Sequence, residues 1–190
     1  MFCYPDVCRL PFGKVSSVNA NNTVVKTGDR PAKVNTSSES SPAGIKGTVV
    51  HISDGDTFIV EADSGERTTV RIHAIDAPEL AQAFGKESRE ALRALIANQA
   101  VEIKQQKIDQ YHRIVGSVLL DGKDIGLEML NGGNVWYFRQ YQKELPAETQ
   151  QAYASAEATA LHLNLGLWRD AHPIPPWEYR RTHANPHTKH

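Results

Sequence analysis

The chain holds 190 residues, 40% of them hydrophobic and 23% charged, with a net charge of -1. That balance fits one domain with appendages. It excludes the strongly basic field common in nucleic-acid binders, so any phosphate-binding surface must be a local patch. No run approaches the length of a transmembrane helix, so a membrane partner is not expected.

The N-terminus, Met1 to Cys8, has no basic segment leading into an apolar stretch, and so no recognisable signal peptide. Cys3 and Cys8 are the only cysteines and sit outside any zinc-like CxxC pattern. Two readings stand for them: a local disulfide, or two unpaired thiols. Residues 1–44 read as a disordered extension. Ser16-Ser17, Asn19-Ala20-Asn21-Asn22 and Ser37 to Pro42 are small and polar with no apolar period.

From Ile45 the texture changes. Ile45 to Ile52 reads as a strand and Asp54-Gly55 as a tight turn. Thr57 to Val60 reads as a second strand, Asp63-Ser64-Gly65 as a second turn, and Thr68 to Ile75 as a third strand. Leu92, Leu95 and Ile96, with Ser88 and Ala91 on the same side, predict a helix. Val101 to Lys104 alternates as a fourth strand, and Ile114 to Leu120 forms a fifth. Asp124 to Leu130 predicts a short helix ended by Gly132-Gly133. Pro146 and Glu148 open a third helix, with Tyr153, Ala156, Ala160 and Leu163 as its apolar stripe and Gly166 as its stop. Residues 169–190 read as a proline-rich tail that includes His187 and His190. The predicted class is α+β, mainly β: a five-stranded OB-fold barrel with three α-helices over residues 45–168.

Acids and arginines cluster around the turns. Asp56 follows the first turn and Asp76 ends the third strand. If those strands pair, both carboxylates approach one sheet edge, where hard oxygens suit a divalent cation. The plainer reading is that Asp54 and Asp56 only shape the hairpin. Glu79 follows Pro78 and could act as a general base, or simply as a first-turn acid of the next helix. With Val70 and Ile72 facing the core, Arg71 and His73 should face outward. Arg113 leaves the Asp109-Gln110-Tyr111-His112 loop at a barrel rim. Two arginines can converge on one phosphate through planar, bidentate forks.

The set DGDT, R-x-x-x-x-D-x-P-E and D-x-Y-x-R, in this order on an OB-like strand plan, resembles the staphylococcal nuclease (thermonuclease) family. The resemblance runs from about Ile45 to Trp168. It implies a calcium-dependent (Ca2+) phosphodiesterase acting on DNA and RNA with little sequence preference. It assigns Asp56 and Asp76 as side-chain ligands and Ala77 as a carbonyl ligand of calcium. Arg71 and Arg113 would grip the scissile phosphate, and Glu79 would activate the attacking water. Tyr111 would border the phosphate. Trp136-Tyr137-Phe138 and Tyr141 fall in the family's nucleotide-proximal region, which makes Tyr137 and Tyr141 candidate substrate contacts, with ordinary core and rim packing as the other reading.

Three departures stand out. Ala77 replaces a threonine, His112 stands where glycine is common, and the Leu80–Gly85 link is too short for a long mobile loop. The competing class is a non-catalytic OB-fold nucleic-acid-binding module, which would be expected to have lost one of Asp56, Asp76, Glu79, Arg71 and Arg113. All five are present. A monomer in a secreted or periplasmic compartment is the expected setting, because free calcium is plentiful there.

Overall fold

The computed structural model describes residues 44–183, within the second of two units into which the chain divides, Ser40–His190. The expectations for Cys3, Cys8, the first 43 residues, His187 and His190 lie outside the described residues.

Strands β1 (Ile45–Ile52), β2 (Thr57–Glu61) and β3 (Arg67–Ile72) form an antiparallel meander, as the two tight turns require. Strand β1 also pairs with β5 (Ala100–Ile108), which pairs with β6 (Ile114–Leu120). A parallel pairing of β3 with β6 then closes the sheet, with Val70 opposite Ile114 and Arg71 opposite Val115. These five strands make the predicted mainly β, OB-like barrel. Closure removes the free edges that a five-stranded open sheet would expose.

The third strand is shorter than expected. It stops at Ile72, where the backbone changes partner: Ile72 N donates to the Asp56 carbonyl at 2.9 Å and His73 N donates to the Gly116 carbonyl at 2.9 Å. Ala74 then adopts a left-handed turn, φ 59°. Ile75–Asp76 form a separate strand, β4, paired with β8 (Trp136–Tyr137) so that Asp76 faces Trp136. Asp76 therefore ends β4, not β3.

Helix α1 (Gly85–Ile96) presents Ser88, Leu92 and Ile96 inward. Helix α2 (Ile125–Asn131) follows the two-residue strand β7 (Lys123–Asp124), and Asp124 caps it by accepting from Leu127 N at 3.1 Å. Helix α3 (Ala147–His162) buries Tyr153, Ala156 and Ala160. Its stripe ends there: Leu163 lies past the last helical residue and is 57% exposed. The three expected helices are joined by a fourth, α4 (Pro176–His183), inside the proline-rich stretch. Phe58, Val70, Ile72, Leu92, Ile96, Ile103, Val118 and Met129 are fully buried in one core, each worth about 1.5–3 kcal/mol of burial. Among the described residues no helix is long and apolar enough to cross a membrane.

Candidate active site

The site begins with a turn. Asp54 Oδ1 accepts from Asp56 N at 2.9 Å and Thr57 N at 2.7 Å, an Asx-type clamp that sets the start of β2. Burial first, then the neighbouring Asp56, raises the Asp54 carboxyl above its ordinary range. Gly55 has no room for a side chain, because a Cβ there would lie 1.9 Å from Ser88 Oγ and 2.8 Å from the Ala77 Cβ. Helix α1 is thus pressed against the turn. Gly55→Ala is expected to lower stability by about 1–3 kcal/mol through overpacking, read as a lower urea midpoint. An unchanged midpoint would mean that α1 can move away freely.

The turn places Asp56 beside Arg71, since Thr57 and Arg71 are register partners. Asp56 is 5% exposed and Asp76 is 1% exposed. Asp56 Oδ1 accepts from Thr57 Oγ1 at 2.8 Å, and its Oδ2 accepts from Ala77 N at 3.0 Å. One guanidinium nitrogen, Arg71 Nη2, lies 3.2 Å from Asp56 Oδ2 and 2.8 Å from Asp76 Oδ1. Arg71 does not point into solvent as expected; its side chain is largely buried between the two acids. Asp56 first, against burial, raises the Arg71 guanidinium further above its ordinary value, so it stays charged. Burial raises the Asp76 carboxyl even though two guanidiniums flank it.

Barrel closure brings the second arginine. Because β3 runs beside β6, the loop before β6 opens next to Arg71. Asp109 organises that loop: it accepts from Tyr111 N at 2.9 Å, Arg113 N at 3.0 Å and Arg113 Nε at 2.8 Å. His112 sits in the left-handed region at φ 61°, which accounts for a glycine preference there, and the turn still closes through His112 N on the Asp109 carbonyl at 3.0 Å.

Asp54, Asp56, Arg71, Asp76, Ala77, Glu79, Tyr111, Arg113 and Tyr141 all line one cavity of about 650 Å³. Tyr137 does not. On the two-residue strand β8 its ring turns into the core, 5.6 Å from the Tyr153 ring and 3% exposed. The substrate contact expected at Tyr137 therefore has no side chain in the cavity. Lys107 and Arg180 line it without having been singled out from the sequence. Lys107 lies on β5 beyond the Val101–Lys104 segment that alternates in sequence, 3.8 Å from the Tyr141 ring. Arg180 is separated from Glu79 by most of the domain, and only the nearby Trp177 hints at a docked segment.

His73, expected to face outward, is buried beneath the 139–144 segment. Its Nε2 donates to Glu144 Oε2 at 2.8 Å, while its Nδ1 is buried without a partner. Burial holds the imidazole below its ordinary value, and this outweighs the pull of Glu144. The folded state therefore resists a proton that the unfolded state accepts near pH 6.5. Stability is full above that pH and falls as pH drops below it. His73→Gln should flatten the fall in urea midpoint between about pH 7 and pH 5. A slope unchanged in the variant would place the titration elsewhere.

The structure is a small closed barrel with a cavity lined by acids and arginines. Known proteins narrow the class. The family model for staphylococcal nuclease homologues matches residues 69–170. A Haemophilus influenzae protein named as an uncharacterized endonuclease is 35% identical over 133 residues, covering 70% of this chain and 71% of that protein. An Escherichia coli protein of the same name is 35% identical over 139 residues, covering 73% and 86%. The micrococcal nuclease of Shigella flexneri is 34% identical over 152 residues, covering 75% and 84%. The chain belongs to the staphylococcal nuclease homologue family.

Proposed function

We propose that this chain is a calcium-dependent nuclease that hydrolyses phosphodiester bonds of DNA and RNA with little sequence preference. The observation that carries the reading is the convergence of Arg71, Arg113 and Glu79 with two buried carboxylates in one cavity.

The donor chemistry fits a hard divalent cation. Asp56 and Asp76 offer carboxylate oxygens close enough to share one guanidinium nitrogen. Among the described residues no three His, Cys, Asp or Glu side chains are grouped to hold a metal. The Ala77 carbonyl and water would therefore complete the set. When bound, the cation supplies positive charge that polarises a phosphoryl oxygen.

The chain's own groups do the rest. Arg71 and Arg113 donate to the phosphate and offset the charge that grows on it. Glu79, with 41% of its side chain exposed, can take a proton from a water in the cavity. Tyr111, 68% exposed, presents a π-face that tolerates any base, while Tyr141 lines the cavity with Lys107 over its ring. This supports low sequence preference and substrates that are single-stranded or locally open. A calcium requirement fits a secreted or periplasmic setting, where free calcium is plentiful, and the chain is proposed to work as a monomer.

The test is cleavage of single-stranded DNA and RNA with calcium or with a chelator, repeated with Glu79→Gln. Cleavage should need calcium, and Glu79→Gln should suppress it by on the order of 10²-fold or more, as loss of a general base does. Binding without cleavage by the wild-type chain would favour a non-catalytic module. Cleavage that survives the chelator would remove the cation.

A further inference from the structure

Arg180 lies outside the segment matched by the family model, 69–170, yet it reaches the centre of the site. Its Nη2 donates to Asp76 Oδ2 at 2.7 Å, and its Nη1 donates to Glu79 Oε1 at 2.8 Å and to Asp76 Oδ1 at 3.3 Å. With Arg71 on Oδ1 as well, both oxygens of the Asp76 carboxylate are engaged by guanidiniums. A cation that uses Asp76 must take one of these oxygens, and positive groups crowded on one carboxylate repel.

The helix that carries Arg180 is docked, not loose. Pro176 is buried. Trp177 packs 5.6 Å from the Trp136 ring and 5.5 Å from the Phe138 ring. The Gln82 amide donates to the Ile174 carbonyl just before the helix. Charge around the cavity points the same way. With Arg180 set aside, Asp54, Asp56, Asp76, Glu79 and Asp109 face only Arg71, Lys107 and Arg113. Acids therefore outnumber bases around the cavity, which favours a cation there.

We propose that Arg180 is a tethered counter-ion of the Asp76–Glu79 edge and competes with a divalent cation for it. The proposal rests on the calcium reading above. Binding of the cation and pairing of Arg180 with Asp76 exclude one another, so the affinity of the wild-type site includes the cost of displacing Arg180. Glu79 is freed in the same event, which couples loading of the site to release of the base.

Calcium affinity of the full chain, measured by titration calorimetry for wild type, Arg180→Lys and Arg180→Gln, tests this. Arg180→Gln should bind calcium at least about tenfold tighter than wild type, because the competing charge is gone. Arg180→Lys keeps the charge and should stay nearer wild type. In the wild-type chain, calcium should also speed hydrogen exchange of the amides in Pro176–His183, a readout that needs no variant. Equal or weaker binding by Arg180→Gln, or exchange in that helix indifferent to calcium, overturns the competition. If all three chains bind calcium equally, only the role of Arg180 falls. If none binds it, the calcium reading falls too.

Discussion

Replacing Arg113 with alanine is expected to slow cleavage of single-stranded DNA by on the order of 10²–10³-fold, the usual loss when one donor to a developing oxyanion is removed. Folding should barely notice. The Arg113 guanidinium is partly exposed and, among the described residues, its ion pair is with Asp109, at 2.8 Å. Partly exposed pairs of this kind contribute about 0–1 kcal/mol. The Asp109 carboxylate keeps its backbone donors, Tyr111 N and Arg113 N, after the substitution, so the loop persists. Arg113→Lys should recover little, because an ammonium cannot offer two parallel donors to one phosphate. The check is steady-state cleavage alongside thermal unfolding. A near-wild-type rate with an unchanged melting curve would remove Arg113 from the phosphate clamp.

Arg71→Ala should behave differently and lose stability as well as activity. The guanidinium compensates two acids that are almost fully buried, Asp56 and Asp76. Removing one partner from a buried charge cluster costs about 3–5 kcal/mol, since the other charges stay behind without water. Arg180 still reaches Asp76, but Asp56 has no second guanidinium partner among its described contacts. The loss should fall partly back when Arg71→Ala is combined with Asp56→Asn, which removes the stranded charge together with its partner. Urea unfolding of the single and double variants measures this. A single variant as stable as wild type would mean that solvent reaches the pair and that Arg71 serves the substrate alone.

These two arginines also separate what could be read locally from what could not. The turn at Asp54-Gly55 was legible because its chemistry is complete within four residues, and Asp54 accepts from the backbone of Asp56 and Thr57. The strands of the meander and the apolar face of α1 were legible for the same reason, since periodicity records which side of an element meets the core. The motif set, through the family resemblance, already assigned Asp56, Arg71, Asp76, Glu79 and Arg113 to one site, and the fold brings them to one cavity.

The failures at the site are long-range. Arg71 and His73 alternate like solvent-facing residues, yet closure of β3 on β6 and the 139–144 segment cover them. Tyr137 sits in a run of aromatics whose pattern does not say which ring enters the core, and the pairing of β8 with β4 decides it. Arg180 looked like a tail residue because nothing near it in the chain needs a cation, and its partners Asp76 and Glu79 are brought to it only by docking of α4. By itself, then, the amino-acid order determined the barrel's strands, the tight turns and the chemical identities available to the site. The tertiary structure alone decided which charges are buried together, because burial and charge pairing depend on distances in space that a residue's sequence neighbours do not set.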